Sequence, residues 1–355
     1  MVAMMAAGMM QVGMMQAGTF VGMSGDLVYS LNTETGVLSF SGDGAMADYE
    51  EQADQPWFSY RNSITTVTFW GNPTRIGNRA FQDCNQITSC EFPASLTSIG
   101  EQAFEGCRLL KDSVSFSPGL TSIEEKAFYV CTRITYFSLP ATLTFIGVNA
   151  FLGCWGVTDF RVSEDNPNYC SLDGVLCDKA QTTIINYPVG SSRTSYTMPE
   201  TVTTIGDYAI ELAKNLTSIT LSPNLQVIGR FAFSECSALT EITIPASVTT
   251  ISAGGFAGCV GLTKIICYAT LPPECGAEAF AGVEKSIPLY VPEEVIDDYR
   301  TASEWKEFSN ILPISTEGIE NVQRDDVQST KVLRDGVLLI ERNGRTYNAQ
   351  GAEVR

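Results

Sequence analysis

Ile76-Gly77-Asn78-Arg79-Ala80-Phe81 is followed by Ile99-Gly100-Glu101-Gln102-Ala103-Phe104, and related hexapeptides begin at Ile123, Ile146, Ile205, Ile228 and Ile251. The starts lie 23, 24, 23, 59, 23 and 23 residues apart, a near-constant interval broken by one long insertion. A fixed period of this length is the mark of a solenoid, a chain wound into coils that stack on one another. Function then belongs to a repeated surface rather than to a single cleft.

Other positions hold the same phase. Proline stands six residues before the isoleucine at Pro93, Pro140, Pro199 and Pro245, and is displaced by one at Pro118 and Pro223. An aliphatic residue stands three before, at Leu96, Leu120, Leu143, Val202, Leu225 and Val248. Cysteine follows eight residues after, at Cys84, Cys107, Cys131, Cys154, Cys236 and Cys259, with Ala213 in its place once. The full unit reads Ile-Gly-x-x-Ala-Phe-x-x-Cys-x-x-Leu-x-x-Ile-x-Leu-Pro-x-x-Leu-x-x. Stretches such as 134–139, 216–221 and 239–244 alternate apolar and polar residues, as half-buried strands do, and proline then ends each strand. Ala-Phe before the cysteine is too short for a long helix and predicts one helical or 3₁₀ turn on the opposite side. The sequence therefore predicts an α/β solenoid of about 23-residue leucine-rich units, mostly strand with short helical or 3₁₀ turns, and a small C-terminal β-module. Five large apolar side chains per unit, at roughly 1.5–3 kcal/mol each, fall short of a backbone ordering cost of roughly 1–2 kcal/mol per residue. Each coil needs its neighbours.

The segments outside the repeat read as follows. Residues 1–24 are rich in Met, Ala, Gly and Val without a basic n-region, and read as a degenerate secretion segment or a flexible arm. A β-hairpin cap is expected over 25–63, and the solenoid proper over 64–314. The 59-residue interval carries a hairpin insertion at about 163–199, with Asp173-Gly174 as its turn and 182–187 pairing with 175–177. It is expected to protrude. After Cys259 the phase is lost, and a divergent cap covers 268–314, with Tyr299, Ala302, Trp305 and Phe308 on one face of a short amphipathic helix. Residues 315–330 read as a polar linker and 331–355 as a three-stranded meander with turns at Asp335-Gly336 and Asn343-Gly344.

Several chemistries are disfavoured by composition. The 355-residue chain carries 40 acidic and 22 basic residues, net −18, which opposes nucleic acid as a partner. It contains no histidine, which removes Ser-His-Asp and Cys-His catalysis. Carboxylates are scattered over variable repeat positions, Gly42-Asp43-Gly44 opens no phosphate loop, and no Cys-x-x-Cys is present for zinc. Glu164, Asp165, Asn166 and Asn168 lack calcium-loop spacing and read as a solvated turn. The reading is non-enzymatic, with no cofactor and no metal. The cysteines of the repeat are expected to be small buried hydrophobes rather than disulfides. Cys170 with Cys177 and Cys267 with Cys275 are the pairs to test.

The Ile-Gly-x-x-Ala-Phe-x-x-Cys-x-x-Leu unit, Asp173-Gly174-Val175-Leu176 and the closing Leu289-Tyr290-Val291-Pro292 with Trp305 together resemble the BspA-like leucine-rich repeat proteins of bacterial surfaces. The resemblance covers about residues 27–312. It implies a secreted or surface-attached protein, with some members of the family binding matrix proteins or other cells. The tail from Gly318 to Arg355 is similar to C-terminal β-modules that serve export or anchoring, though it is shorter than full sorting domains.

The strands leave a set of outward positions that vary from coil to coil: Ser89, Glu91, Ser113, Ser115, Tyr136, Ser138, Asp159, Arg161, Ser218, Thr220, Glu241, Thr243 and Lys264. Among these, Glu91, Tyr136, Ser138, Asp159, Arg161, Ser218, Thr220, Glu241, Thr243 and Lys264 are the ligand-binding candidates. Tyr136 with Asp159 and Arg161 is the favoured spot, because aromatic and Arg residues serve as anchors. Two functions follow from this reading. One is an adhesin-like monomer binding a host, matrix or cell-surface protein or a glycan through the solenoid, without a transmembrane domain. The other is a structural spacer or display scaffold anchored through its C-terminal module.

Overall fold

The computed structural model describes residues 13–16 and 18–314, with the strands Ser329–Arg334, Val337–Arg342, Arg345–Asn348 and Glu353–Val354. The chain divides into two compact units, Met1–Leu312 and Pro313–Arg355. The first contains a β-solenoid of about 11 turns with ~23-residue spacing and little helix.

Isoleucine forms one corner of every coil. Its two-residue strands pair in parallel, Ile76 with Ile99, Ile99 with Ile123 and Ile123 with Ile146. A second run pairs Ile184 with Ile205, Ile205 with Ile228, Ile228 with Ile251 and Ile251 with Cys275. Two of these partners lie where the period had been lost. Ile184 restores the ladder inside the insertion, and Cys275-Gly276-Ala277-Glu278-Ala279-Phe280 is one further coil with cysteine in the isoleucine slot.

The Ala-Phe side differs from the expected helical or 3₁₀ turn. Residues three and seven after the corner adopt positive φ, as at Arg79 (52°), Asp83 (55°), Lys126 (52°), Val130 (59°), Tyr208 (57°) and Leu212 (63°). Alternate N–H groups donate to the next coil: Arg79 to Glu101 O at 2.8 Å, Phe81 to Ala103 O at 2.7 Å and Asp83 to Glu105 O at 2.7 Å. These turns thus bond between coils, satisfying buried backbone groups that a helix would satisfy within itself. Among the described residues, helical segments occur only in the regions flanking the repeats, at Gln52–Asp54, Phe58–Tyr60, Glu293–Val295, Ile296–Thr301 and Trp305–Glu307.

Stacking places like on like. Ring centroids are 5.1 Å apart from Phe81 to Phe104, 5.3 Å from Phe104 to Phe128 and 5.0 Å from Phe233 to Phe256. Those separations sit close to the ~4.8 Å between paired strands. The repeat cysteines are free and buried. Their thiols also do directional work, since Cys107, Cys131, Cys154, Cys236 and Cys259 each donate to the carbonyl of the Phe or Ile in the preceding coil at 3.0–3.2 Å. Threonine makes a parallel ladder at the surface, Thr217 to Thr194 O, Thr240 to Thr217 O and Thr263 to Thr240 O at 3.0–3.3 Å.

The insertion does not protrude. Strands Tyr169–Leu172 and Val175–Asp178 form its hairpin, and Thr183–Asn186 pairs antiparallel with Val175–Asp178. Val175, Leu176 and Cys177 are fully buried. Leu176 packs into a core running from Leu27 to Phe160, whereas Val175 and Cys177 pack into a second core running on to Ile311. Alternation along one strand thereby serves two cores. The apolar residues are central because they divide the stack. Asn166 is fully buried before the hairpin, its amide donating to Pro140 O and Leu143 O and its carbonyl oxygen accepting from the N–H groups of Asn168 and Tyr169.

The first coil is preceded by antiparallel strands Thr19–Ser24, Leu27–Asn32 and Val37–Ala45, so the cap sheet begins inside the segment read as an arm. Trp57 is fully buried there, donating from Nε1 to Ala80 O at 3.0 Å. At the other end the expected single helix is interrupted. Ile296–Thr301 stops at an extended Ala302, Glu304 has φ 65°, and Trp305–Glu307 is 3₁₀. Tyr299, Trp305 and Phe308 are nevertheless buried, with Trp305 Nε1 donating to Pro273 O at 2.9 Å. The C-terminal unit has four antiparallel strands rather than three, starting at Ser329 within the expected linker. Residues 315–328 and the expected turns at 335–336 and 343–344 lie outside the described residues.

Burial pushes the thiols of Cys84, Cys154 and Cys236 up to about 12. Iodoacetamide at pH 8 is expected to modify half-buried Cys170 first and to leave the ladder thiols unmodified until denaturant is added. Peptide mass spectrometry checks this, and rapid native labelling of Cys131 would contradict it.

Candidate binding surface

The outward strand residues fall in columns because parallel strands stack in register. Tyr136 pairs with Ser113 and Asp159, and Ser138 with Ser115 and Arg161. Ser218 and Thr220 face Ser195 and Thr197, two surface positions hidden from sequence reasoning by the insertion. Glu241 pairs with Lys264, and Thr243 with Ile266, whose other neighbour is Tyr290. The candidates therefore occupy three sheets, one of three strands, one of two and one of four. Glu91 is not among them, since it follows Ser89–Cys90 on a strand paired with Thr66–Ile76 in the nine-stranded sheet.

Only the first group condenses into a cluster. Arg161 Nε donates to Asp159 Oδ2 at 2.7 Å, and its guanidinium carbon lies 3.7 Å from the Tyr136 ring centroid. The hydrogen bond to Asp159 raises the Arg161 pKa. The Arg161 side chain remains 56% exposed, leaving its other donors open to a partner. A planar guanidinium on an aromatic face is held with less loss of freedom than a free side chain when it binds. The cluster borders the hairpin tip, where the Phe160 N–H donates to Gly174 O at 3.0 Å and Arg193 donates to Asp173 O. Glu241 and Lys264 form an ion pair at 2.7 Å, so those two charges are largely spent on each other.

On the turn side, Glu211 and Glu235 lie on neighbouring coils. Burial and, secondarily, the Glu235 charge raise the Glu211 pKa from 4.5 to about 7, against the hydrogen bond from Ser234. Among the described residues no group of three or more His, Cys, Asp or Glu is placed to hold a metal ion. No helix among them is long and apolar enough to cross a membrane.

The coil geometry defines a leucine-rich repeat protein. The sequence model of the BspA type leucine-rich repeat region matches in 6 copies over residues 52–171 and 189–299, and the chain belongs to that family. The interruption between the matched stretches coincides with the strand shared by the two cores. A crystal structure of a leucine-rich repeat protein from Eubacterium ventriosum is similar at 26% identity and a TM-score of 0.65, over 82% of this chain and 83% of that one. The pneumococcal vaccine antigen PcpA shares the fold at 19% identity and a TM-score of 0.55, over 83% of this chain and 98% of that one. No curated protein sequence matches the chain.

The carboxyl of Glu211 takes up a proton in the folded state at a pH where the unfolded chain has lost it. Between about 4.5 and about 7 the native state thus holds more protons, and stability falls as pH rises through that window. Glu211→Gln is expected to flatten this dependence and raise the melting midpoint at pH 8 by roughly 1–2 °C. Calorimetry at pH 5 and pH 8 checks it, and an equal effect at both values would contradict the assignment.

Proposed function

We propose that this protein is a non-enzymatic, secreted or cell-surface binding protein, adhesin-like, whose outward strand face recognises a host, matrix or cell-surface protein. The observation that carries this reading is the Tyr136–Arg161–Asp159 cluster, an exposed, pre-oriented cation on an aromatic ring at the middle of the solenoid. Aromatic and Arg residues dominate binding energy at protein interfaces, and ordering them in advance reduces what association must offset. Ser138 and Ser115 beside it, with Ser218, Thr220, Glu241, Thr243 and Lys264 further along, supply the polar rim such an anchor needs. Membership of a bacterial repeat family supports a binding role and an extracellular setting.

Arg161→Glu is expected to leave the fold intact, because the side chain is mostly solvated, and to weaken binding to a matrix protein such as fibronectin about tenfold or more. Surface plasmon resonance on immobilised matrix proteins checks it. Unchanged binding in a triple variant Tyr136→Ala, Arg161→Glu, Thr243→Glu would contradict the sheet face as the recognition surface. It would favour the spacer reading instead.

A further inference from the structure

The coil of Ile184 is cut short on its turn side. From Ile184 to its strand partner position at Tyr196 the chain takes 12 residues, whereas the next coil takes 14 from Ile205 to Ile219. Tyr187 stands in for the interior Phe, its N–H donating to Ala209 O at 2.7 Å. The two-residue shortfall thus lies between Ile184 and Tyr187, and Pro188, Val189 and Gly190 then run against the preceding coil. Gly190 donates to Val157 O at 2.8 Å and lies so close to the coil before it that a Cβ there would fall 2.6 Å from the Gly156 carbonyl carbon and 2.7 Å from Trp155 O. This run is therefore fixed by close backbone contact.

Beside this run two bonds of the regular ladder are unmade. At the seventh residue after the corner, Asp83, Gly106, Val130, Leu212, Glu235 and Gly258 each donate to the next coil, but among the described residues Gly153 makes no such bond. Nor does the Glu211 carbonyl accept the bond that its counterparts Glu105, Tyr129, Leu152 and Ser234 accept. Near the corner the gap has a volume of only about 30 Å³, lined by residues including Asn149 and Asp207, which suits a water molecule or two. A separate notch of about 250 Å³ lies between Trp155, Val189, Leu212 and Lys214.

The lining selects the occupant. A volume below the ~300–1,000 Å³ of small-molecule sites suits a single side chain rather than a cofactor. Three of the four walls are apolar, and Trp155 is 50% exposed, so burying an aliphatic group here removes apolar surface on both partners. A sugar ring would bring hydroxyls that these walls leave unpaired. Lys214 is the one charged wall, and among the described residues no carboxylate lies within ion-pair distance of it.

We propose that the notch beside Trp155 is an anchor pocket for one aliphatic side chain of a partner protein, presented on an extended segment with a carboxylate at the adjoining residue to meet Lys214. This rests on the reading of the chain as a protein-binding solenoid and adds a second contact, away from the strand face.

The test uses the full chain carrying Trp70→Phe, which leaves Trp155 as the exposed indole while Trp57 and Trp305 stay buried. The probes are acetyl-Gly-Leu-Asp-Gly-amide, the same peptide with Lys in place of Asp, and maltose, each titrated against indole fluorescence. The Asp peptide is expected to give a saturable emission shift at roughly millimolar concentration, with the Lys peptide about tenfold weaker. Lys214→Glu, a solvent-exposed change, is expected to reverse that order, and Val189→Trp to abolish both responses by filling the notch. No saturable response to either peptide, equal affinity for both in the parent and in Lys214→Glu, or a response to maltose alone would each overturn the proposal. Peptide binding that survives when the strand-face variants retain full matrix binding would uphold the notch and sink the strand-face reading. The converse result would leave that reading standing and remove the notch.

Discussion

Hydrogen bonding and packing between successive coils is the constraint on which everything else in this molecule depends. Backbone groups of the isoleucine corner and the outward strand find partners in the neighbouring coil, and those of the Ala-Phe turn alternate between the neighbouring coil and their own. Side chains follow the same translation, so the phenyl rings stack at 5.0–6.2 Å from coil to coil and the thiols of Cys107, Cys131, Cys154, Cys236 and Cys259 each reach a carbonyl one coil back. A residue that suits one coil suits them all. That explains a period kept at 23 or 24 residues and the reuse of cysteine, which supplies a small apolar body and a weak donor at once.

The same constraint gives the irregular middle its meaning. A stack that loses one regular coil must either end or be rejoined by an element with two usable faces. The strand Val175–Asp178 does the latter, sending Leu176 to one core and Val175 and Cys177 to the other. Its neighbouring coil is two residues short, Gly190 packs against Trp155 and Gly156 beside the notch, and the hairpin tip lies against Asp159 and Phe160 at the edge of the Tyr136 cluster. Both surface features proposed for recognition thus border one interruption.

Much of this was legible in the sequence because periodicity reports directly on stacking. The interior ladders of Ile, Ala, Phe and Cys and the outward direction of Tyr136, Arg161 and Glu241 follow from phase, and the burial of Trp305 follows from its three-residue spacing with Tyr299, Ala302 and Phe308. A ladder slot needs an apolar body of about the right size rather than one residue type, so Cys275 fills it within an otherwise regular hexapeptide, and Ile184 fills it without the Gly and Ala-Phe that make the other coils visible. The turn was misread as helical because its left-handed residues, among them Val130 and Leu212, are tolerated through bonds to another coil that lies 23 residues away. The hairpin was expected to protrude because Asp173-Gly174 signals a turn but says nothing of what covers it. Ser195 and Thr197 on the strand face were passed over because the shortened coil shifts them out of phase. The grouping of Arg161 with Tyr136 depended on adjacency between coils, which the repeat made visible.

The division of the solenoid into two cores that meet at the inserted hairpin is most directly tested by native-state hydrogen exchange on Leu176→Ala, a truncation expected to cost roughly 2–5 kcal/mol at a fully buried site. If the two cores are distinct packing units, amides of the coils from Ile76 to Ile146 exchange faster while those of the coils from Ile228 to Cys275 keep the protection of the parent protein. Acceleration spread evenly over both halves would contradict the two-core account.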